Sequence, residues 1–312
     1  QLAGVTSPRL PFTRLVPPGI RHTREYVEFF LPDVLRSRID RFSQERGTTF
    51  FCLFLSVYKT LLHRTCNLDD VTVAVPVANR GQTETQRMIG VFVNTIFLRT
   101  KLSENMTFTE VLARVQRAFA EGSAHETMPF PRLVQELVPN HDPSRFPIVQ
   151  IMFNYLQPGA SQRARKRREL ELNVIPSDRD PISTRTDLSL TIADARGRLR
   201  ANFKYDSALF AREDMERFSR QYMHLLEAVL DHPDRPIAQL PILGSDEREP
   251  LIDAGNSTAV TCDAAPGEPL TLEAQARPQL DLSAATLAGR SLSPASENTP
   301  TTAPVDQPSP AD

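Results

Sequence analysis

The sequence has few cysteines, no long apolar run and none of the usual signals for a membrane or for secretion. Its three cysteines, Cys52, Cys66 and Cys262, have no CxxC spacing and are too few for a disulfide framework, which favours a reducing compartment. No apolar run reaches the roughly 18–20 residues that cross a bilayer, and we expect no signal peptide. These absences predict a cytoplasmic protein without a membrane partner.

A strong charge of either sign is also missing. The formal net charge is −2, so the composition predicts no general attraction for nucleic acid or an anionic membrane. The basic residues are 32 arginines and 4 lysines, a skew that we attribute to genome base composition. The basic run at residues 163–171 is expected to be a solvated loop, because most charge runs are solvated surface.

Motifs that carry chemistry by themselves are absent as well. The six histidines include no adjacent pair and no i,i+4 pair, and the sequence contains no GxSxG, GxGxxG or GxxxxGK[ST] string. No cluster of metal-ligand residues occurs either. From the residues alone we predict a domain with no self-contained active site, no metal and no directly bound cofactor.

Composition divides the chain near residue 255. Residues 263–312 hold eight prolines, seven acids, two arginines and no aromatic residue, so they can bury too little apolar surface to offset the entropy of ordering. We expect a folded unit over residues 1–255, and a linker with a disordered tail over residues 256–312.

Hydrophobic periodicity within the folded unit predicts alternating helices and strands. Thr107 and Glu110 have the spacing of a capping box, and residues 187–205 alternate as a hairpin that turns at Arg196 and Gly197. The fold class is α/β (α+β), a mixed sheet flanked by helices. Helices are predicted at 32–46, 48–65, 107–121, after Pro129 and at 211–231, and further strands at 70–79, 90–102 and 146–156.

Four strings carry a family resemblance. MIGVFVNTIFLR (88–99) resembles the family motif IGxFVNTxxxR. DDVTVAVPVANR (69–80) resembles the family strand that precedes this motif and ends in PVANR. HETMPFPRLVQEL (125–137) is similar to HQDxPFExLV, and HDPSRFPIVQIMFNY (141–155) to RDxSRxPLFQVMF. In this order and spacing, the strings identify the chain as similar to condensation domains of nonribosomal peptide synthetases, over residues 1 to about 256.

The resemblance implies a fold and a reaction. Condensation domains resemble chloramphenicol acetyltransferase and other CoA-dependent acyltransferases. They pair two lobes around a channel, where an aminoacyl or peptidyl group passes from one carrier's phosphopantetheine thioester to the amine of the next. The catalytic histidine belongs to an HHxxxDG motif in the N-terminal lobe, and this sequence lacks that motif. We therefore expect residues 1–255 to be the C-terminal subdomain, with no catalytic residue in this chain and no activity alone.

The same resemblance assigns roles to individual residues. Arg80 would face the aspartate of HHxxxDG, or would be an ordinary surface arginine at a strand end. Asn94 is expected to fix its strand, and Asn154 either faces the channel or is structural. His125 is expected to organise a loop rather than to take part in catalysis, and Pro131 and Thr127 depart from the family pattern beside it. The full set of expected channel or motif-supporting residues is Arg80, Gly90, Asn94, Thr95, Arg99, His125, Pro129, Phe130, Arg145 and Asn154.

Partners follow from the resemblance too. The expected partners are the lobe that carries HHxxxDG and peptidyl carrier domains, whose phosphopantetheine bears the substrates. Residues 272–298 faintly resemble the start of an adenylation domain, so a downstream adenylation domain is a further expected partner. Two alternatives stay open: a non-catalytic module that binds a carrier or the other lobe, and a truncated gene product.

Overall fold

A computed structural model describes residues 2–17, 22–141, 145–156, 186–195 and 198–244. The chain divides into two units, Gln1–Ala265 and Pro266–Asp312, and the second lies outside the described residues. The predicted tail, the basic run at 163–171 and the turn at 196–197 also lie outside them. No helix in the described ranges is long and apolar enough to cross a bilayer.

The first two helices form where the hydrophobic pattern predicts them. Helix α1 (Asp33–Glu45) buries one stripe, which includes Leu35, Ile39 and Phe42. Helix α2 (Phe50–Cys66) is buried on nearly every side, as its apolar sequence requires. The hydroxyl of Thr49 accepts a hydrogen bond from the Cys52 amide at its start, and Asn67 ends it in the left-handed conformation.

The later helices also confirm their predicted positions. Helix α3 (Phe108–Ser123) begins at the predicted capping box, in which the Thr107 hydroxyl and the Glu110 carboxylate each accept a hydrogen bond from the other residue's amide. Helix α4 (Phe130–Leu137) follows Pro129, and helix α5 (Arg212–Asp231) packs a long apolar stripe inward. Single 3₁₀ turns occur at Glu84–Arg87 and Ile237–Gln239.

Within the described residues, six strands form one mixed sheet in the order β1-β6-β5-β4-β2-β3. The β4–β5 and β4–β2 neighbours are parallel and the other pairs antiparallel. The mixed sheet with helices confirms the predicted fold class. The strands are β1 (Arg24–Phe30), β2 (Asp70–Val77), β3 (Asn94–Lys101), β4 (Ile151–Leu156), β5 (Leu188–Ala195) and β6 (Arg198–Asp206).

One strand has no counterpart among the predictions, and two predicted strands begin at different residues. The apolar alternation of β1 is interrupted by Arg24, Glu25 and Glu28, so local pattern does not predict it, and its partner in the sheet is the strand β6. Strand β3 begins at Asn94 rather than at residue 90, because the preceding residues belong to a loop. Strand β4 likewise begins at Ile151 rather than at 146.

The two faces of the sheet have different surroundings. The first face packs against the helices: Phe153 contacts the Tyr58 ring of α2, and Phe203 contacts the Phe218 ring of α5. Helix α3 approaches this face so closely that a Cβ at Gly122 would lie 2.8 Å from Leu98. The side chains between these positions point to the opposite face, which we call the second face.

A buried lysine lies within the first face. Lys59 of α2 is fully buried, and its ammonium donates to the Leu98 carbonyl at 2.6 Å and to the Thr100 hydroxyl at 2.7 Å. A longer contact of 3.4 Å reaches the Val71 carbonyl. Burial lowers the pKa of Lys59 to about 7, although the nearby Asp70 carboxylate opposes the shift. The lysine therefore joins α2 to β2 and β3 through hydrogen bonds in an apolar layer.

Candidate functional site

Arg80 organises the loop between β2 and β3. Its guanidinium donates to the carbonyls of Thr85, Met88 and Gly90, at 2.9 Å for Met88 and 3.2 Å for Gly90. The same group lies 4.2 Å from the centre of the Phe92 ring, within the range of a cation–π contact. A guanidinium has donors enough to hold several carbonyls at once, so Arg80 shapes this loop. The Gly90 carbonyl is one of these three acceptors.

The loop that Arg80 holds exposes apolar side chains. Ile89 and Val91 are essentially fully exposed, at 103% and 96%, and Met88 and Val93 are more than half exposed. Single exposed apolar residues are common, but a run of four within six positions forms a patch, and patches mark contact surfaces. We call residues 88–93 the apolar loop.

Asn94 connects β3 to the segment that links α3 with α4. Its amide group donates to the carbonyls of Glu126 and Met128 at 2.6 and 2.7 Å, and its carbonyl accepts from the Phe130 amide at 3.2 Å. This use of both donor and acceptor explains why an amide stands at the start of an otherwise apolar strand. These hydrogen bonds join the start of β3 to the segment between α3 and α4.

The other residues of the HETMPFP string lie beside Asn94. His125 is exposed, and its backbone closes the turn after α3 by hydrogen bonds to Gly122 and Met128. Pro129 is the N-terminal flanking residue of α4. The Phe130 ring stacks on Phe146 with centroids 5.3 Å apart. Arg80, Gly90, Asn94, His125, Pro129 and Phe130 are thus gathered at one corner of the sheet.

Arg99 lies near the opposite end of β3, where its side chain contacts the neighbouring strand and the N-terminal segment. It forms a bidentate contact with Asp70 on β2, with an Nη2 to Oδ2 distance of 2.6 Å, and its Nη1 donates to the Ala3 carbonyl at 2.9 Å. Hydrogen bonds to Asp70 raise the pKa of the Arg99 guanidinium further above its usual range. These contacts tie together two strands and the N-terminal segment.

Two predicted residues lie on the second face of the sheet, Thr95 on the edge strand β3 and Asn154 on the central strand β4. Thr95 pairs in register with Pro76, and Asn154 pairs with Thr191; both side chains belong to the second face and are half-buried. Asn154 continues in register through Thr191 to Asn202 on β6. Sequence reasoning missed Thr191 and Asn202, because only the strand register reveals that they extend the row from Asn154.

Arg145 lies at a cavity that the sequence patterns do not reveal. Its guanidinium is 2.7 Å from the Asp187 carboxylate, whose pKa burial raises. The cavity measures about 860 Å³ and lies between residues 7–17 and the sheet. His22 and Arg24 surround Asp206 there, with His22 Nδ1 at 2.5 Å and Arg24 Nη1 at 3.6 Å from its carboxylate. Sequence distance hides this cluster, since His22 and Asp206 stand far apart in the chain.

The described ranges hold no group of three or more His, Cys, Asp or Glu side chains arranged for a metal ion. The polar side chains at the predicted positions are the amides of Asn94 and Asn154, the Thr95 hydroxyl, the His125 imidazole and the guanidinium groups of Arg80, Arg99 and Arg145. Such groups hold and orient a substrate through hydrogen bonds, and arginines can bind anionic groups.

Comparison with known proteins shows which family has this arrangement. A family model described as Condensation domain matches residues 6–252. One of the linear gramicidin synthase proteins of Brevibacillus parabrevis is 38% identical over 227 residues, which are 72% of this chain and 4% of that protein. Phosphinothricin tripeptide synthetase PhsB of Streptomyces viridochromogenes is 34% identical over 249 residues, or 80% of this chain and 21% of that protein. The chain therefore spans a small part of these relatives.

Solved structures agree on the fold. The X-domain from teicoplanin biosynthesis matches with a TM-score of 0.69 and 25% identity, over 78% of this chain and 55% of that one. A four-domain nonribosomal peptide synthetase bound to AMP and glycine matches with a TM-score of 0.65 and 23% identity, over 78% of this chain and 19% of that one. The sheet topology, the motif residues around it and these matches agree, and the chain belongs to the condensation-domain family of nonribosomal peptide synthetases.

Proposed function

We propose that this chain forms the second lobe of a condensation domain and supplies one wall of the channel in which a peptide bond is made. The observation that carries the proposal is the second face of the sheet, where Thr95 and Asn154 are half-buried and outward-facing. The apolar loop lies at the border of this face and offers a contact surface for the lobe that carries HHxxxDG. The 55% coverage of the X-domain chain supports one lobe of two.

The proposed reaction joins two carrier-bound substrates. The amine nitrogen of the downstream aminoacyl group attacks the thioester carbonyl carbon of the upstream group. A C–N bond forms, the C–S bond breaks, and the proton lost by the amine goes to the released thiolate. The HHxxxDG histidine would act at the amine, while this chain's side chains would hold the two substrates in line and exclude water.

Within this division of labour, each gathered residue has a physical task. Arg80 holds the apolar loop in one shape, and a preformed loop loses less entropy on docking than a flexible one. Asn94 fixes the neighbouring α3–α4 connection to the edge strand β3. Peptidyl carrier domains and a downstream adenylation domain are the further partners that the family implies for a multidomain synthetase.

Reconstitution tests the proposal. The purified chain, mixed with two loaded carrier proteins, should give no dipeptide, and addition of a lobe bearing HHxxxDG should restore dipeptide formation. The matched control is the same lobe with the second histidine of that motif changed to alanine, which should give no product. Turnover by the chain alone, or a failure of the two lobes to produce dipeptide, would overturn the proposal.

A non-catalytic interaction module is the second candidate, and the exposed apolar loop favours it as well. Size-exclusion chromatography and titration with the HHxxxDG lobe and with a carrier protein would separate the two candidates. Binding without any dipeptide formation would support the interaction module. A monomer with no affinity for either partner would exclude it.

A further inference from the structure

The second face carries a row of three uncharged polar side chains across its central strands. Asn154 on β4 is the register partner of Thr191 on β5, and Thr191 is the partner of Asn202 on β6. Neighbouring strands lie about 4.8 Å apart, so the row spans about 10 Å perpendicular to the strands. We call these three residues the polar row.

The polar row ends where charge begins. The next residue in register is Glu28 on the edge strand β1, and its carboxylate pairs with Arg200. Toward one end of the strands the next residues on this face are Leu156, Ala193 and Arg200, and toward the other end they are Met152, Ser189 and Lys204. Asn154, Thr191 and Asn202 therefore form an uncharged row, whose flanking residues on β6 are the cations Arg200 and Lys204.

The three side chains are available for a ligand. Each is half-buried, and in the part of the chain that the structure describes none of them makes a side-chain hydrogen bond. Half-buried amides and hydroxyls without protein partners are matched by water or by a bound molecule. Both asparagines and the threonine can donate and accept, which suits a chain of secondary amides, where N–H donors and C=O acceptors alternate.

We propose that the polar row binds secondary amides of the substrate chain and so positions it along the channel wall. This inference rests on the proposed function, because it takes the second face as that wall. Two parts of a carrier-bound substrate contain secondary amides: the pantetheine arm and the peptidyl chain. The shared chemistry is the amide, and the experiment below distinguishes the two sources.

The test compares amide and ester substrates in the two-lobe domain. Replacing one amide N–H by an ester oxygen, either in the pantetheine arm or in the peptidyl chain, removes the N–H group that would donate a hydrogen bond to the Thr191 or Asn202 side-chain oxygen. We expect wild-type kcat/KM to fall about tenfold with one of the two analogues, which identifies the source, because a lost hydrogen bond of this kind is worth about one power of ten.

Variants then locate the effect. Thr191→Val and Asn202→Leu should lower kcat/KM for the amide substrate by a similar factor and should be insensitive to the ester replacement. Thr191→Ser keeps the hydroxyl and should retain wild-type kinetics. Tyr26→Phe is the matched control, since it also removes a hydroxyl from the exposed edge of the second face but lies outside the polar row. Thermal unfolding verifies that each variant is folded.

A binding measurement separates this inference from the proposed function. The side-chain amide resonances of Asn154 and Asn202 should shift when the chain alone is titrated with S-acetyl pantetheine or with N-acetyl-glycyl-glycine methylamide, even if no dipeptide forms with the other lobe. An Asn154 shift that appears in wild type and vanishes in Asn202→Leu supports the polar row. Absence of these shifts, or variants with unchanged kcat/KM and an unchanged response to the ester, overturns it.

Discussion

Two neighbouring rows of residues cross the same strands of this sheet and have opposite surroundings. Phe153, Leu190, Phe203 and Val27 form one row, which is buried beneath the helices. Asn154, Thr191 and Asn202 stand one position away on each strand and form the polar row on the second face. A shift of one residue thus separates a row that stabilises the fold from a row that we infer binds substrate.

The difference shows how one sheet serves two purposes. Rings of Tyr58, Phe218 and Tyr222 surround Phe203 with centroids 6.0, 5.2 and 6.1 Å away, so the first face leaves no room for a ligand. The polar row makes no side-chain hydrogen bond among the described residues, and so keeps hydrogen-bonding capacity. Changes in the buried row should therefore reduce stability, and changes in the polar row should affect function with little loss of stability.

The largest expected effect on the free energy of unfolding comes from a change at Phe203. This residue lies on the first face, and its neighbour Asn202 lies on the second. Phe203→Ala should lower the free energy of unfolding by about 3–5 kcal/mol, because it leaves a cavity among packed aromatic rings. Asn202→Ala should change it by less than about 1 kcal/mol, because a half-buried polar residue packs little. Urea unfolding of both variants checks this, and equal losses would break the comparison.

The next effect concerns the buried ammonium of Lys59 and the pH dependence of stability. The folded pKa of about 7 lies below the value of about 10.4 in an unfolded chain. Between these values the unfolded chain binds more protons, so this lysine makes stability rise with pH, by up to about 1.4 kcal/mol per pH unit. Below pH 7 both states are protonated and the destabilising cost of burial is fully present.

Lys59→Met supplies the control for that prediction. Methionine fills similar space without a charge, so the difference in unfolding free energy between wild type and Lys59→Met should shrink or reverse in favour of wild type as pH rises from 7 to 10. Using the difference matters because burial raises the pKa of Cys66 to about 12, which makes stability fall with rising pH in both proteins. A pH-independent difference would show that Lys59 stays charged when buried.

A smaller effect is expected where the sheet meets the motif corner. Asn94→Ala removes two hydrogen bonds to carbonyls and one from the Phe130 amide, and should lower stability by about 1–2 kcal/mol. Hydrogen exchange should accelerate in residues 125–130 before it does in α2. Unchanged exchange there would contradict the fixing role of Asn94.

The smallest effect on stability should come from the apolar loop. Ile89→Ser and Val91→Ser replace exposed side chains and should leave the free energy of unfolding within about 0.5 kcal/mol of wild type. The same changes should weaken association with the HHxxxDG lobe about tenfold, since burying these side chains drives docking. Val34→Ser, an exposed apolar residue on α1, is the matched control and should leave association unchanged. Sedimentation or calorimetric titration measures the difference.

Much of the architecture could be predicted from local patterns. Helix α2 was evident because its apolar residues continue around the whole helix, and α3 because Thr107 and Glu110 have capping-box spacing. Strand β1 escaped because charge obscures its alternation, and the start of β3 was misplaced because Val91 and Val93 look like strand residues although they belong to a loop. Local propensity does not report whether an apolar side chain is covered.

The candidate site was only partly predictable. The motif strings point to Arg80, Asn94 and Asn154. They do not indicate that Arg99 donates hydrogen bonds to Asp70, or that Arg145 lies at a separate cavity. Thr191 and Asn202 were missed because nothing in their own segments marks them. They become notable only beside Asn154, far away in the chain.

By itself, the amino-acid sequence determined the helices, most of the strands and membership in a family, because these depend on local periodicity and on strings of adjacent residues. The tertiary structure decided which face of the sheet is packed, which loop is exposed and which polar residues form a row. The physical reason is that strand register and helix packing join residues that lie far apart in the chain, and the chemistry of a site depends on those neighbours.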